Sequence, residues 1–274
     1  GFPTKKLVNI EVPDIDKFDE LKGSRKSLKS ISSLLSVQEG CDKFCSFCVV
    51  PYTRGVEISR PAGQILKEAI ELIDNGAKEL ILLGQNVNAW SGEGFDEENW
   101  SFPKLIKELS KLNIERIRYI TSHPKDMTDE LMRSHQDIEK LQPYLHLPVQ
   151  SGSDKVLKEM NRGYTFSQYM KIINKTREYR PDIAVSGDFI VGFPGETDKD
   201  FEDTLKIVEE VKYAHAYSFK YSSRPGTPAS MMENHIDETV KSERLKILQE
   251  LIKKHTRNFN KSFLGTDIDV LIDK

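Results

Sequence analysis

The sequence predicts an α/β fold, an open partial barrel of six strand–helix units, (βα)6, of the TIM-like kind, and three observations carry that prediction. Strand-like apolar runs alternate with helical patterns along most of the chain. Six such runs fall two short of a closed barrel. Polar and glycine residues gather just after the runs, on the rim where a parallel α/β fold places its active site.

In chain order, residues 1–30 read as a connector, with Pro3, Pro13, scattered charges and a short strand-like piece at 7–12. Strand-like runs follow at 33–38, 79–83, 116–121, 144–149, 183–191 and 215–221. Helical patterns fall at about 61–75, 103–112, 127–135, 153–161, 166–180, 198–212 and 238–258. Strands separated by helices of this length imply βα units and a parallel sheet. Pro61 suits a first helical turn; Ile65, Ala69 and Ile73 form one apolar stripe, and Asn75-Gly76 ends it. Thr197 and Asp200 make a shortened capping box ahead of Phe201, Leu205 and Val208.

Composition bounds the class. Barrels of 274 residues form single units, although the length exceeds a usual domain. A hydrophobic content of 38% with 30% charged residues suits a soluble, cytosolic protein. No run approaches the ~20 apolar residues of a membrane span. The net charge of −3 gives no sign of nucleic acid, but residues 241–261 hold seven Lys or Arg against two Glu. From charge alone that segment reads better as a solvated helix face, with Glu243 and Glu250 as partial partners, than as a basic rim facing RNA phosphates.

The three cysteines, Cys41, Cys45 and Cys48, lie in one C-x-x-x-C-x-x-C loop after the first strand. An odd count, no signal-peptide pattern and a chain able to build its own core argue against a disulfide framework. Two metal readings stand. Three thiolates can hold a cubane iron–sulfur cluster with one iron open to a small molecule. A Cys3His zinc site is the other, with His123 the next histidine after Cys48. The spacing favours the cluster.

The rim residues follow suit. After the second strand come Gly84, Gln85, Asn86, Asn88 and Trp90, which suit a pocket or a surface loop about equally. His123 follows the third strand, as a ligand candidate or a plain capping residue. After the fourth, Gln150 and Ser151 suit hydroxyl binding, next to Gly152, and Ser153 suits an N-cap. Asp188, Ile190 and Gly192 belong to the fifth strand and its turn, where glycine allows either a tight turn or close approach of a planar ring. Phe219 and Tyr221 end the sixth, ahead of Arg224-Pro225-Gly226.

The cysteine loop, with Phe47 before its last cysteine, resembles the signature of radical S-adenosylmethionine (SAM) enzymes. Together with 48–55, Arg60-Pro61, 82–90, 145–153, 188–196 and 224–228 it resembles the methylthiotransferase family over about residues 31–274. The Gln85-Asn86-Val87-Asn88-Ala89-Trp90 run is similar to the branch acting on isopentenyladenosine in tRNA, rather than to the threonylcarbamoyl-adenosine branch or the branch that modifies a ribosomal protein. The resemblance implies that Cys41, Cys45 and Cys48 hold a [4Fe–4S] cluster whose fourth iron chelates SAM. Reductive cleavage would yield a 5′-deoxyadenosyl radical that takes hydrogen from C2 of the adenine, before sulfur insertion and methylation by a second SAM. Gln85, Asn86, Gln150, Ser151, Gly152, Asp188, Ile190, Gly192 and Tyr221 fall at positions expected to contact SAM. Arg54 and Arg60 are candidates for steering the tRNA backbone or the SAM carboxylate, or are structural ion pairs. A flavodoxin-type electron donor is expected. The family also has an amino-terminal domain with three further cysteines for a second iron–sulfur cluster, and a closing β-barrel, TRAM. On that pattern 1–30 is a remnant and linker, 31–261 the barrel, and 262–274 the start of TRAM, with an opening strand at 268–272. The chain would then bind one cluster and cleave SAM without completing methylthiolation.

Overall fold

The computed structural model describes residues 30–272. Six parallel strands form its frame: β1 (Ser32–Ser36), β2 (Glu79–Leu83), β3 (Arg116–Tyr119), β4 (Tyr144–His146), β5 (Ala184–Val191) and β6 (His215–Lys220). They pair as two three-stranded sheets, β1–β2–β3 and β4–β5–β6. The sheets meet at a seam where Ile117 N–H donates to Lys140 O at 2.8 Å and Gln142 N–H donates to Ile117 O at 3.0 Å. Strands therefore follow one another in chain order around an open curve. No ladder among the described residues joins β6 back to β1.

Alternation along each strand decides which side chains meet the helices. Leu35, Leu82 and Tyr119 share one register row, and all three are buried. They pack under α2 (Ala62–Asp74), α3 (Phe102–Ser110) and α4 (Asp129–Asp137), with Phe102 edge-on to Tyr119. In the second half Val185, Phe189 and Val191 face outward beneath α6 (Phe166–Tyr179) and α7 (Asp198–Val211). The long α8 (Glu238–Lys261) lies against β6, and short α1 (Val50–Arg54) and α5 (Asp154–Glu159) complete the set.

Several boundaries differ from the sequence reading, each for a local reason. Pro61 is the N-cap of α2 rather than its first helical residue, with ψ at 139°. Thr128 and Ser153 cap α4 and α5 with their side chains, so those helices start after them. The third strand stops short of Thr121, where φ turns to 69°, and the fourth stops well short of Gln150, where φ is 76°. The Thr197–Asp200 capping box forms in full. Two short antiparallel pairs, Gln38–Glu39 with Ile58–Ser59 and Ser91–Glu93 with Asn99–Ser101, are additions that such brief runs do not announce. The expected strand at 7–12 lies outside the described residues. Residues 266–272 form no strand: Ile268, Val270 and Ile272 are exposed and have no ladder partner.

Candidate functional site

The cysteine loop leaves β1 across the Gln38–Glu39 pairing and is held from four sides. Gly40 N–H donates to Gln85 Oε1 at 2.6 Å, and Gln38 Nε2 donates to Gly40 O at 2.7 Å. Gly40 has φ of +79°, and a Cβ there would lie 1.9 Å from Val56 O, so only glycine allows this crossing. Ser46 is fixed by its N–H to Met160 O and its hydroxyl to Glu159 O. Asn161 Nδ2 donates to Phe44 O at 2.9 Å, bracing a residue with φ of 48°. Lys43 pairs with Asp126, which also accepts from Asn86 Nδ2.

Within the loop Cys48 N–H donates to Cys45 O, and Cys45 is buried. Burial, reinforced by the neighbouring cysteine sulfurs, pushes the Cys41 and Cys48 thiols up. Three sulfurs that would repel one another as thiolates form a donor set matched to a cationic iron–sulfide core. Among the described residues no three His, Cys, Asp or Glu side chains gather as a single ion requires. A cubane does not need such convergence, because each thiolate binds its own iron. His123 converges with no metal-binding group among the described residues; its Nδ1 accepts the Lys125 N–H, and burial together with the charges of Arg162, Lys43 and Lys125 lowers its pKa to about 2.

Next to the loop, a cleft of about 820 Å³ opens at the carboxyl ends of β4, β5 and β6. Phe47 of the cysteine loop lines it, together with Gln150, Asp188, Ile190 and Tyr221 from the predicted set. Gln150 reaches it through its left-handed backbone: its N–H donates to Asp188 O, and Ile190 N–H donates back to its carbonyl. Asp188 faces His146, at 3.5 Å, which in turn meets the Ser186 hydroxyl at 3.1 Å. Ser218, Lys220, Arg224 and Lys241 add polar and cationic groups.

The remaining predicted residues stand behind that surface. Gln85 and Asn86 brace the cysteine loop. The Ser151 hydroxyl and the Gly152 N–H both meet Thr204 on α7, and a Cβ at Gly152 would strike Asp203 O at 2.1 Å. Gly192 lies against Lys241, whose Cγ would be 2.3 Å from an added Cβ. Arg60 is buried, donating to Ser36 O and Glu68, while Arg54 is exposed and meets Glu39 at 3.3 Å. Sequence reasoning missed the part played by α8. Of its basic residues, Lys241 lies over the Tyr221 ring, Arg244 is buried against Glu196 and Asp198, and Lys254 meets Glu209. Lys246, Lys253, Arg257 and Lys261 are exposed. The signal was the helical phase of Lys241 and Arg244, three apart on one face.

A parallel partial barrel with a three-cysteine loop after its first strand and a cleft at its carboxyl rim defines a class of enzyme cores built around a bound iron–sulfur centre. The radical SAM superfamily model matches residues 35–208, and the chain belongs to that superfamily. It is 53% identical, over 98% of its length, to the tRNA-2-methylthio-N(6)-dimethylallyladenosine synthase of Agrobacterium fabrum, and spans 60% of that relative. In fold it is similar to the radical SAM methyltransferase TsrM from Kitasatospora setae, with a TM-score of 0.59 and 17% identity over 73% of this chain and 38% of that one. Streptococcus suis SuiB bound to S-adenosylmethionine gives a TM-score of 0.56 and 14% identity, covering 82% of this chain and 48% of its own.

Proposed function

We propose that this chain is the radical SAM core of a tRNA methylthiotransferase that modifies C2 of N6-isopentenyladenosine. The observation that carries the reading is the braced Cys41–Cys45–Cys48 loop joined through Phe47 to the cleft, in a chain 53% identical to a relative of that name. Cys41, Cys45 and Cys48 would hold a [4Fe–4S] cluster. When bound, the cluster supplies the electron and the open iron for reductive cleavage of SAM.

The chain's own residues bind, orient and shield. Gln150 and Asp188 offer an amide and a carboxylate to the polar parts of SAM, while Ile190, Phe47 and Tyr221 give apolar surface for its adenine. Gln85, Asn86, Ser151, Gly152 and Gly192 act one layer back, fixing the loop and the rim. Asp188 and His146 lie on the strand face turned away from the helix layer, the side from which a flipped-out nucleoside can approach. The three cysteines suffice for one cluster. Residues 31–261 form the barrel unit of this scheme, with 1–30 and 262–274 as flanking segments of neighbouring domains. Exposed Lys246, Lys253, Arg257 and Arg54 suit an RNA backbone, and a flavodoxin-type protein suits the electron supply. A tRNA substrate implies a cytoplasmic enzyme; no helix among the described residues is long and apolar enough to cross a membrane.

The test is 5′-deoxyadenosine formation from SAM after anaerobic reconstitution and reduction, beside Cys45→Ala, with and without isopentenylated tRNA. Product that depends on Cys45 and rises with the modified tRNA supports the proposal. A cluster-loaded protein that cleaves SAM but ignores tRNA refutes the substrate assignment.

A further inference from the structure

Three arginines are buried among the described residues, and two face carboxylates: Arg60 meets Glu68, and Arg244 meets Glu196 and Asp198. Arg162 differs. Its Nε donates to Tyr164 Oη at 2.9 Å, its Nη2 to Pro148 O at 2.7 Å, and its Nη1 to Cys45 Sγ at 3.3 Å. None of these partners is a carboxylate. A guanidinium taken out of water is costly without an anion beside it. The group its geometry offers that becomes anionic on metal ligation is the sulfur of Cys45.

The local sequence holds this arrangement in place. Met160 ends α5, and Asn161 turns left-handed with φ of 56°. That turn aims the Asn161 amide at Phe44 O and sends the next side chain inward beneath the loop. Tyr164, itself buried, donates its hydroxyl proton to Val149 O at 2.9 Å, which leaves its oxygen lone pairs for Arg162 Nε. The guanidinium is thereby fixed at both ends, with one N–H directed at the sulfur. A guanidinium keeps its charge in a protein interior, so Arg162 brings a fixed positive charge to this spot.

We propose that Arg162 is the built-in counter-ion of the cluster: a positioning residue that orients Cys45 Sγ and whose charge stabilises the reduced, more anionic state over the oxidised one. This rests on the reading that the three cysteines hold a [4Fe–4S] centre. One-electron reduction adds one negative charge to the cluster, and a fixed positive charge in a low-dielectric site favours that state. Hydrogen bonds to cluster sulfurs and nearby charge set reduction potentials over a wide range.

The test is an EPR-monitored redox titration of the anaerobically reconstituted chain, with iron and sulfide content measured alongside. Arg162→Gln is expected to shift the potential negative at unchanged iron content. Arg162→Lys keeps a charge but loses the forked donor, and is expected to fall between the two. An Arg162→Gln protein with a full cluster and the parental potential overturns the proposal. If Arg162→Gln holds too little iron to titrate, the equally uncharged Arg162→Met decides by the same criterion: a negative shift supports the role, and the parental potential with a full cluster overturns it. A parent chain that takes up no iron and sulfide refutes the cluster reading itself, a result distinct from either.

Discussion

Gly40→Ala tests the claim that the cysteine loop is set by backbone crossing rather than by the cysteines. Gly40 has φ of +79°, and its added Cβ would lie 1.9 Å from Val56 O and 2.7 Å from Gly55 O. The left-handed conformation alone costs an alanine about 1–2 kcal/mol. To reach ordinary contact at 3.4 Å, the Gly55–Val56 backbone must retreat by about 1.5 Å. That movement breaks the bond from Cys41 N–H to Gly55 O and strains the one from Gly40 N–H to Gln85, at about 1 kcal/mol each. The expected loss is about 3–4 kcal/mol in urea unfolding of the cluster-free protein, with a fall in iron retained after reconstitution. Gly76→Ala is the control, because Gly76 also has positive φ but nothing within 4 Å of its added Cβ. It should lose only about 1 kcal/mol and keep its iron. If both variants lose the same stability and retain the same iron, close approach at Gly40 does not organise the loop.

Other perturbations address the rest of the frame. Thr197→Ala removes the hydroxyl that accepts Asp200 N–H and should cost about 1 kcal/mol in the same unfolding assay, visible as a lower urea midpoint. His135 is buried against the Tyr119 hydroxyl at 2.7 Å, and burial, helped by Arg180, lowers its pKa from 6.5 to about 4. Between those values the unfolded chain binds a proton that the folded one does not. Stability should therefore fall as pH drops from 6.5 toward 4, by up to roughly 3 kcal/mol, and His135→Gln should flatten that slope. A slope unchanged by the substitution would place the titrating group elsewhere. Gln150→Ala should weaken SAM binding about tenfold, or roughly 1.4 kcal/mol, in calorimetry on the cluster-loaded chain, with little change in folding stability.

How much of this was legible in the sequence depends on the kind of signal. The six strands were readable because apolar runs such as 79–83 and 183–191 report burial directly, and a buried strand has few alternatives. The cysteines stood out as candidate cluster ligands because their spacing carries the signal by itself. The roles of rim residues were not, since order along the chain says which residues reach the rim but not which way each one turns. Gln150 and Ser151 are neighbours, yet the positive φ at Gln150 sends one side chain to the cleft and the other to Thr204. Gln85 and Asn86 looked like pocket amides because amides bind ligands well; they bind the Gly40 N–H and Asp126 for the same reason.

Arg162 shows the limit from the other side. In sequence it is an ordinary Arg between Asn161 and Gly163, near the end of a short helix, where a cation is expected on electrostatic grounds. Its contact with Cys45 spans 117 positions, and no local pattern encodes it. What identifies it is a comparison available only in three dimensions: Arg60 and Arg244 are equally buried and each has its carboxylate, whereas Arg162 has a thiol. A buried charge whose counter-charge is missing from the side chains around it points to an anion that the polypeptide does not supply. On the proposed reading, a cluster held through the Cys45 thiolate would supply that anion.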